Sequence, residues 1–299
     1  MTEITTDLIK ELRERSGAGI VDCKKALIEN NADMEAAIDW LRKKGLSAVA
    51  KKSSRVTAEG LVSVYIEGNN GVVLEVNSET DFVAKNEKFQ NFVKKLSGIS
   101  LKAENGNVEA LKSATYEGNL SVNDELNSLI ATIGENLTIR RFKQIKAEGK
   151  LFSYVHNTTS EGLGKIGVIV AFANEGTPEN IGKQVAMHIS ATQPLALDKE
   201  SLNPAEIERE REVQKAKALE EGKPADIVDK MVEGRLSKFY QEVCLTEQPF
   251  IMDTDKKISQ LLKENNAKIT DYAYFVLGSG IEKVQADFAT EVDKIIKGE

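Results

Sequence analysis

Apolar positions along the first 45 residues recur at helical spacing in three separate runs. Leu8, Ile9 and Leu12 share one face; Ile20, Cys23 and Leu27 share a second; Met34, Ile38 and Leu41 share a third. Ser16-Gly17-Ala18-Gly19 interrupts the first two runs, because adjacent glycines disfavour a continuing helix. Asn30-Asn31-Ala32-Asp33 interrupts the next two, with Asp33 placed to cap the third helix and Gly45 placed to follow its end. The expectation is a three-helix unit over residues 1–45.

The stretch Arg42-Lys43-Lys44, Lys51-Lys52 and Arg55 follows, with no acidic residue between positions 42 and 55. It reads either as a contact for nucleic acid or an acidic surface, or as a solvated linker over 46–57. The overall acidity of the chain favours the linker.

From residue 58 the period shortens to that of strands. Leu61 to Tyr65 and Val72 to Val76 bracket Gly68-Asn69-Asn70-Gly71, a hairpin signal. Phe89, Phe92, Val93 and Leu96 then mark one buried helix face, and Leu126, Leu129, Ile130 and Ile133 another, with Gly134 at its end. A strand over Leu137 to Phe142 closes the block.

The block then repeats. Leu151 to Val155 echoes Leu61 to Tyr65, Gly167 to Phe172 echoes Gly71 to Val76, a helix runs through Val185 to Ile189, and Ala273 to Leu277 matches the strand at 137–142. The fold class is therefore α+β, with two related core subdomains at 58–147 and at 148–199 plus 244–299, the latter ending in a helix.

Residues 200–243 form an insertion between the second-block helix and its last strand. Asn203-Pro204-Ala205-Glu206 is a helix start with a capping residue, a proline and an acid; Gly222-Lys223-Pro224 breaks the helix, and a second one carries Ile227, Val228, Met231, Val232, Leu236, Phe239 and Val243 on one side. A helical hairpin buries little by itself, so this stripe packs on the core, on a second copy in a homodimer, or on a partner.

At 299 residues the chain is long enough for two or three domains with a sizeable core, and its net charge of −7 gives no electrostatic footprint for direct nucleic-acid binding. No apolar run reaches membrane-spanning length, and residues 1–7 lack the basic start and apolar stretch of a signal peptide. Two distant cysteines, Cys23 and Cys244, read as buried free thiols of a reducing cytoplasm rather than a disulfide or zinc site.

Enzyme motifs fail on context. Gly162-Leu163-Gly164-Lys165-Ile166-Gly167 has the letters of a dinucleotide loop but precedes a strand instead of a helix, so a hairpin turn is the better reading. His188 sits among apolar residues and reads as a core histidine, whereas His156 ends a strand beside a polar loop. Neither has the neighbours of a metal ligand or a catalytic base. No metal and no cofactor is implied.

Thr80-Asp81-Phe82-Val83 stands apart. Pattern alone suggests a capped turn with Phe82 packed inward; the functional alternative is an exposed aromatic beside an acid, aimed at a partner.

Thr80-Asp81-Phe82-Val83-Ala84-Lys85-Asn86 closely resembles the signature of the elongation factor Ts family. So do Glu11 to Gly19, Asp22 to Leu27, Ile133-Gly134-Glu135-Asn136, Ile139-Arg140-Arg141, Met231 to Arg235 and Leu245 to Phe250, in the family's order from end to end. The three-helix unit itself resembles ubiquitin-associated-type domains, which are binding modules, and the family resemblance implies a non-catalytic cytoplasmic exchange factor that releases GDP from the GTPase elongation factor Tu. It implies partner contacts at Thr80, Asp81, Phe82 and Val83 near the GTPase magnesium site, and at Arg13, Ile20, Val21, Ile133, Gly134, His156, Val232 and Glu233. Ile20-Val21 stands where the resemblance leads one to expect a methionine pair, and the loop after His156 is longer than the short glycine-containing form. The rival reading from another class is an adaptor or chaperone-like module that binds partners without regard to nucleotide.

Overall fold

A computed structural model of the chain describes residues 4–222 and 224–282. The N-terminal helices are α1 (Thr6–Ser16), α2 (Ile20–Glu29) and α3 (Met34–Lys52). Thr5 caps α1 by accepting from the Leu8 amide, and Asp33 caps α3 by accepting from that of Ala36. Gly17 ends α1 in the left-handed region at φ 67°, a conformation open to glycine without steric cost. Leu12, Cys23, Ala26, Leu27 and Ala37 form the buried centre of this unit, with Trp40 and Leu41 packed against it.

The third helix departs from the sequence expectation. It runs straight through Gly45 to Lys52, so half of the stretch expected as a linker over 46–57 is helix. Glycine inside a helix costs about 0.5–1 kcal/mol relative to alanine. The helix packs on a neighbouring one at this point: a Cβ on Gly45 would stand 3.4 Å from the Ala131 Cβ, an ordinary contact, so the packing has room for a methyl but for little more.

The strands and helices that follow are β1 (Glu59–Glu67), β2 (Asn70–Ser78), α4 (Glu87–Ser100), α5 (Val108–Ser113), β3 (Thr115–Glu117), β4 (Leu120–Ser121), α6 (Val122–Ile133) and β5 (Leu137–Lys146). Ser121 and Asp124 form a reciprocal capping box at the start of α6, and Gly134 closes it at φ 87°. The second block comprises β6 (Leu151–His156), β7 (Leu163–Gly164), β8 (Ile166–Phe172) and α7 (Glu179–Thr192). Then come α8 (Pro204–Glu220), α9 (Ala225–Val243), β9 (Pro249–Phe250), β10 (Asp253–Lys257), α10 (Ile258–Glu264) and β11 (Ile269–Val276). The helix expected at the C-terminus falls outside the described residues.

The expected repeat is visible in the sheets. One has strand order β5-β2-β1-β7 and the other β11-β8-β6. In both, two successive strands pair, a helix follows, and a late strand joins the far edge of the second. β6 and β8 pair antiparallel from Leu151↔Ala171 to His156↔Ile166. The Gly162–Gly167 segment leads into β8, as the strand context required, and opens no helix.

The described residues form two compact units, residues 4–62, 75–142 and 276–282 in one, and residues 63–74, 143–222 and 224–275 in the other. In the first, Phe89, Phe92, Val93 and Leu96 of α4 and Leu126, Leu129 and Ile130 of α6 are buried. The same unit contains the buried Glu75, whose carboxylate accepts from Arg140 at 2.9 Å, Arg141 at 2.6 Å and the Gly278 amide at 2.8 Å. A buried carboxylate is tolerated only with such partners.

In the second unit Phe152, Val168, Val170, Phe172, Val185, Ile189 and Ile258 form the core. Gly182 lets α7 lie on the Phe152 ring, since a Cβ there would come within 2.2 Å of it. His188 is fully buried: its Nε2 and the Gln248 Oε1 are 2.8 Å apart, while its Nδ1 accepts from the Ile251 amide at 3.3 Å. That pairing fixes the neutral Nε2–H form, and burial pulls its pKa below the ordinary imidazole value. The hairpin α8–α9 buries Ala218, Val228, Val232 and Leu236 between its own helices, and Ile227 of the expected stripe stays exposed.

Candidate partner-docking site

The segment between β2 and α4 is short and heavily constrained. A 3₁₀ turn spans Val83–Lys85, with the Ala84 amide donating to the Asp81 carbonyl at 3.2 Å and the Lys85 amide to that of Phe82 at 3.1 Å. Asn86 then caps α4 by accepting from the amides of Lys88 and Phe89. Successive side chains in so tight a turn diverge, so only one of Phe82 and Val83 can face the core. Val83 does, at 4 % exposure; Phe82 is 76 % exposed and Asp81 is exposed beside it. The inward-packed reading of Phe82 is thereby corrected.

Two carboxylates hold this turn in place. Glu135 accepts from the Thr80 amide at 2.8 Å and the Thr80 hydroxyl at 2.6 Å. Reciprocally, Glu79 accepts from the Asn136 amide at 2.6 Å. Ser78 adds a hydroxyl donated to the Thr80 carbonyl at 2.7 Å. Hydrogen bonds to charged acceptors are the stronger class, so the backbone bearing Asp81 and Phe82 is pinned from the far end of α6. Ile133 is half-buried and Gly134 exposed at that same helix end. Glu79, Glu135 and Asn136 were not foreseen as support. Their sequence separation of 55 and 57 positions hides the pairing, and the only available signal was that Glu135-Asn136 sits directly after Ile133-Gly134.

The remaining candidates divide by exposure. In the first unit Arg13, Ile20 and Val21 all face solvent, the last two at 57 % and 79 % exposure. In the second unit His156 is exposed at the end of β6, with its Nδ1 3.1 Å from the Tyr154 hydroxyl. Glu233 is exposed and paired with Arg211. Val232 is a correction: it is 3 % exposed, enclosed by Ala218, Val228 and Leu236, and offers no surface for contact.

A polar cleft of about 330 Å³ lies in the first unit, lined by Arg15, Gly17, Lys88, Tyr116, Glu125 and Thr132 among others. Burial, then the nearby Glu125 and Glu117, push the Tyr116 hydroxyl up to about 12, and burial raises the Glu125 carboxyl. Ser16, Ser128 and Thr132 line the cleft as well, and no thiol or histidine does. Among the described residues no cluster of His, Cys, Asp and Glu is arranged to hold a metal ion, and no helix is long and apolar enough to cross a membrane. Cys23 and Cys244 are free and buried, and burial raises the Cys244 thiol to about 11.

A turn held by two carboxylates that leaves a phenylalanine exposed is suited to docking another macromolecule, and the fold that carries it is of the α+β class. Residues 79–279 match the elongation factor Ts family. Over its full length the chain is 50 % identical to the full-length elongation factor Ts of Hyphomonas neptunium. It is 52 % identical to that of Rhizorhabdus wittichii, again across both whole chains, and 51 % identical to that of Zymomonas mobilis across 98 % of each. The chain belongs to the elongation factor Ts family and is a translation elongation factor.

Proposed function

We propose that the protein is a cytoplasmic guanine nucleotide exchange factor that binds elongation factor Tu and accelerates its release of GDP. It makes and breaks no covalent bond. The observation that carries this reading is Phe82, 76 % exposed on a turn held by Glu79 and Glu135. Exposing a large aromatic forgoes about 1.5–3 kcal/mol of burial, a cost that a docking role explains.

In this reading Phe82 wedges into an apolar pocket of the GTPase, with Thr80, Asp81 and Val83 forming the turn that presents it. Asp81 brings negative charge toward the magnesium surroundings. Because the metal neutralises the phosphates, disturbing it weakens GDP retention. Arg13, Ile20 and Val21 add contacts from the N-terminal helices, Ile133 and Gly134 from the end of α6, and His156 and Glu233 from the second unit. By linkage, a factor that weakens nucleotide binding is itself bound less tightly when nucleotide is present.

The test is stopped-flow release of a fluorescent GDP analogue from elongation factor Tu. Phe82→Ala should lower the maximal release rate on the order of tenfold, a partial loss because neighbouring contacts share the load. A native rate in that variant removes the wedge. Capture of elongation factor Tu that is indifferent to excess GDP would instead favour a nucleotide-blind adaptor.

A further inference from the structure

We infer that α3 is a rigid strut that holds the apolar pair Ile20–Val21 at a fixed position relative to Phe82, so that the two engage a partner as one surface. This rests on the docking role proposed above. The helix has two halves with different neighbours. Its first half belongs to the three-helix core through Ala37, Ile38 and Leu41, and Lys44 extends that hold by pairing with Asp22 of α2.

Its second half lies along α6. Arg42 reaches Asp124 at 3.0 Å, Gly45 meets Ala131, and the Lys52 Nζ stands 3.9 Å from the Cβ position of Gly134. These three contacts follow the same order along both helices. The last places a cation at the carbonyl end of α6, where the helix dipole favours it.

Beyond the helix, Arg55 completes the path to the turn. Its guanidinium pairs with Glu79 at 3.3 Å, and its carbonyl accepts from the Asn136 side chain at 2.9 Å. Glu79 and Asn136 are the residues that bond each other beside Thr80. An unbroken series of packed helix and hydrogen bonds therefore runs from α2 to the backbone of Phe82. The basic stretch 42–55 is accounted for largely by these protein partners, and a nucleic-acid role is not needed to explain it.

At 1.5 Å per residue the 19 residues of α3 span about 28 Å. Two contacts held at a set separation bind without the loss of concentration that a flexible tether imposes.

The test inserts Gly-Ser-Gly-Ser between Leu41 and Arg42, which keeps the apolar three-helix core and the α6 contacts, gives up the exposed Lys44–Asp22 pair and cuts the strut. GDP release from elongation factor Tu is followed over a range of factor concentrations. The half-saturating concentration should rise on the order of tenfold with the plateau rate retained, whereas Phe82→Ala lowers the plateau. A second pair changes no chain length. Gly45→Leu forces α3 away from Ala131 and should shift half-saturation in the same direction, while Gly45→Ala, whose methyl fits, should match the native curve.

Spin labels on Ile28→Cys and Lys94→Cys, with the native thiols buried, should give one narrow distance that the insertion broadens. An unchanged half-saturation in the insertion variant, or in Gly45→Leu should the insertion not fold, overturns the strut. A broad distance in the uninserted chain overturns it too. If the native factor leaves release at its spontaneous rate, the exchange reading falls, and the distances alone then decide whether α3 is rigid.

Discussion

The two repeats use the same position in opposite ways. After β2 the chain passes through Glu79 to Asn86, held by two carboxylates and displaying Phe82; after β8 it passes through Ala173 to Pro178 with no aromatic at all. In the second connection the Ala173 amide donates to the Lys268 carbonyl at 2.9 Å, and the turn itself is closed locally, by the Thr177 amide at 3.3 Å and the Thr177 hydroxyl at 2.9 Å from the Asn174 carbonyl. Both connections satisfy the same need, turning a strand into a helix that covers the sheet. The second shows how little that need requires. The carboxylate clasp and the exposed ring of the first are additions to the plan, which is why they mark the candidate site.

The largest effect should come from removing the clasp. Glu135→Ala takes away both acceptors of Thr80 and leaves a partly buried amide unsatisfied, a loss of about 1–3 kcal/mol. Both the melting temperature and the maximal GDP-release rate should fall, the second at least as far as in Phe82→Ala. A native release rate in Glu135→Ala would mean that the turn needs no support. Next comes Phe82→Ala itself, which should separate the two readouts: release falls on the order of tenfold while the melting temperature stays close to native, because the ring buries little. The matched change in the other repeat, Thr177→Val, should do the reverse. It forfeits one hydrogen bond, about 1 kcal/mol of stability, with release unaltered.

How much of this was legible beforehand follows from the range of the interactions concerned. The alternation and helical spacing that mark β1, β2, β6, β8, α4 and α7 are local, and they gave the α+β repeat directly. His188 was legible as a core residue from Met187 and Ile189 beside it. Gly45 misled because helix propensity weighs a residue by itself, while α3 continues past it on contacts with α2 and α6 that lie far away in the sequence. Phe82 misled for a related reason: an aromatic among apolar neighbours predicts burial, and only the turn geometry shows that Val83 takes the inward place. At Val232 periodicity was the better guide. Val228, Val232 and Leu236 recur every four residues and are all buried, whereas the family resemblance pointed outward.

The smallest predicted effect sharpens the comparison through pH. The α7 helix buries a titratable group, His188, where α4 buries Ser97 and Ser100 at its polar positions. Burial lowers the folded-state pKa of His188 from its ordinary value of 6.5. Between that lowered value and 6.5 the unfolded chain binds more protons than the folded one, so stability is full above 6.5 and declines as pH falls through this window. Protonation would also convert Nδ1 from the acceptor of the Ile251 amide into a second donor, which opposes that bond. Amide exchange, corrected for its intrinsic pH dependence, should therefore quicken in α7 and around Ile251 between pH 7 and 5. The turn at 79–86 should hold its protection over the same range. His188→Gln, which cannot take up a proton there, should flatten the response in the second unit, and an equal loosening of both repeats on acidification would refute the assignment to His188.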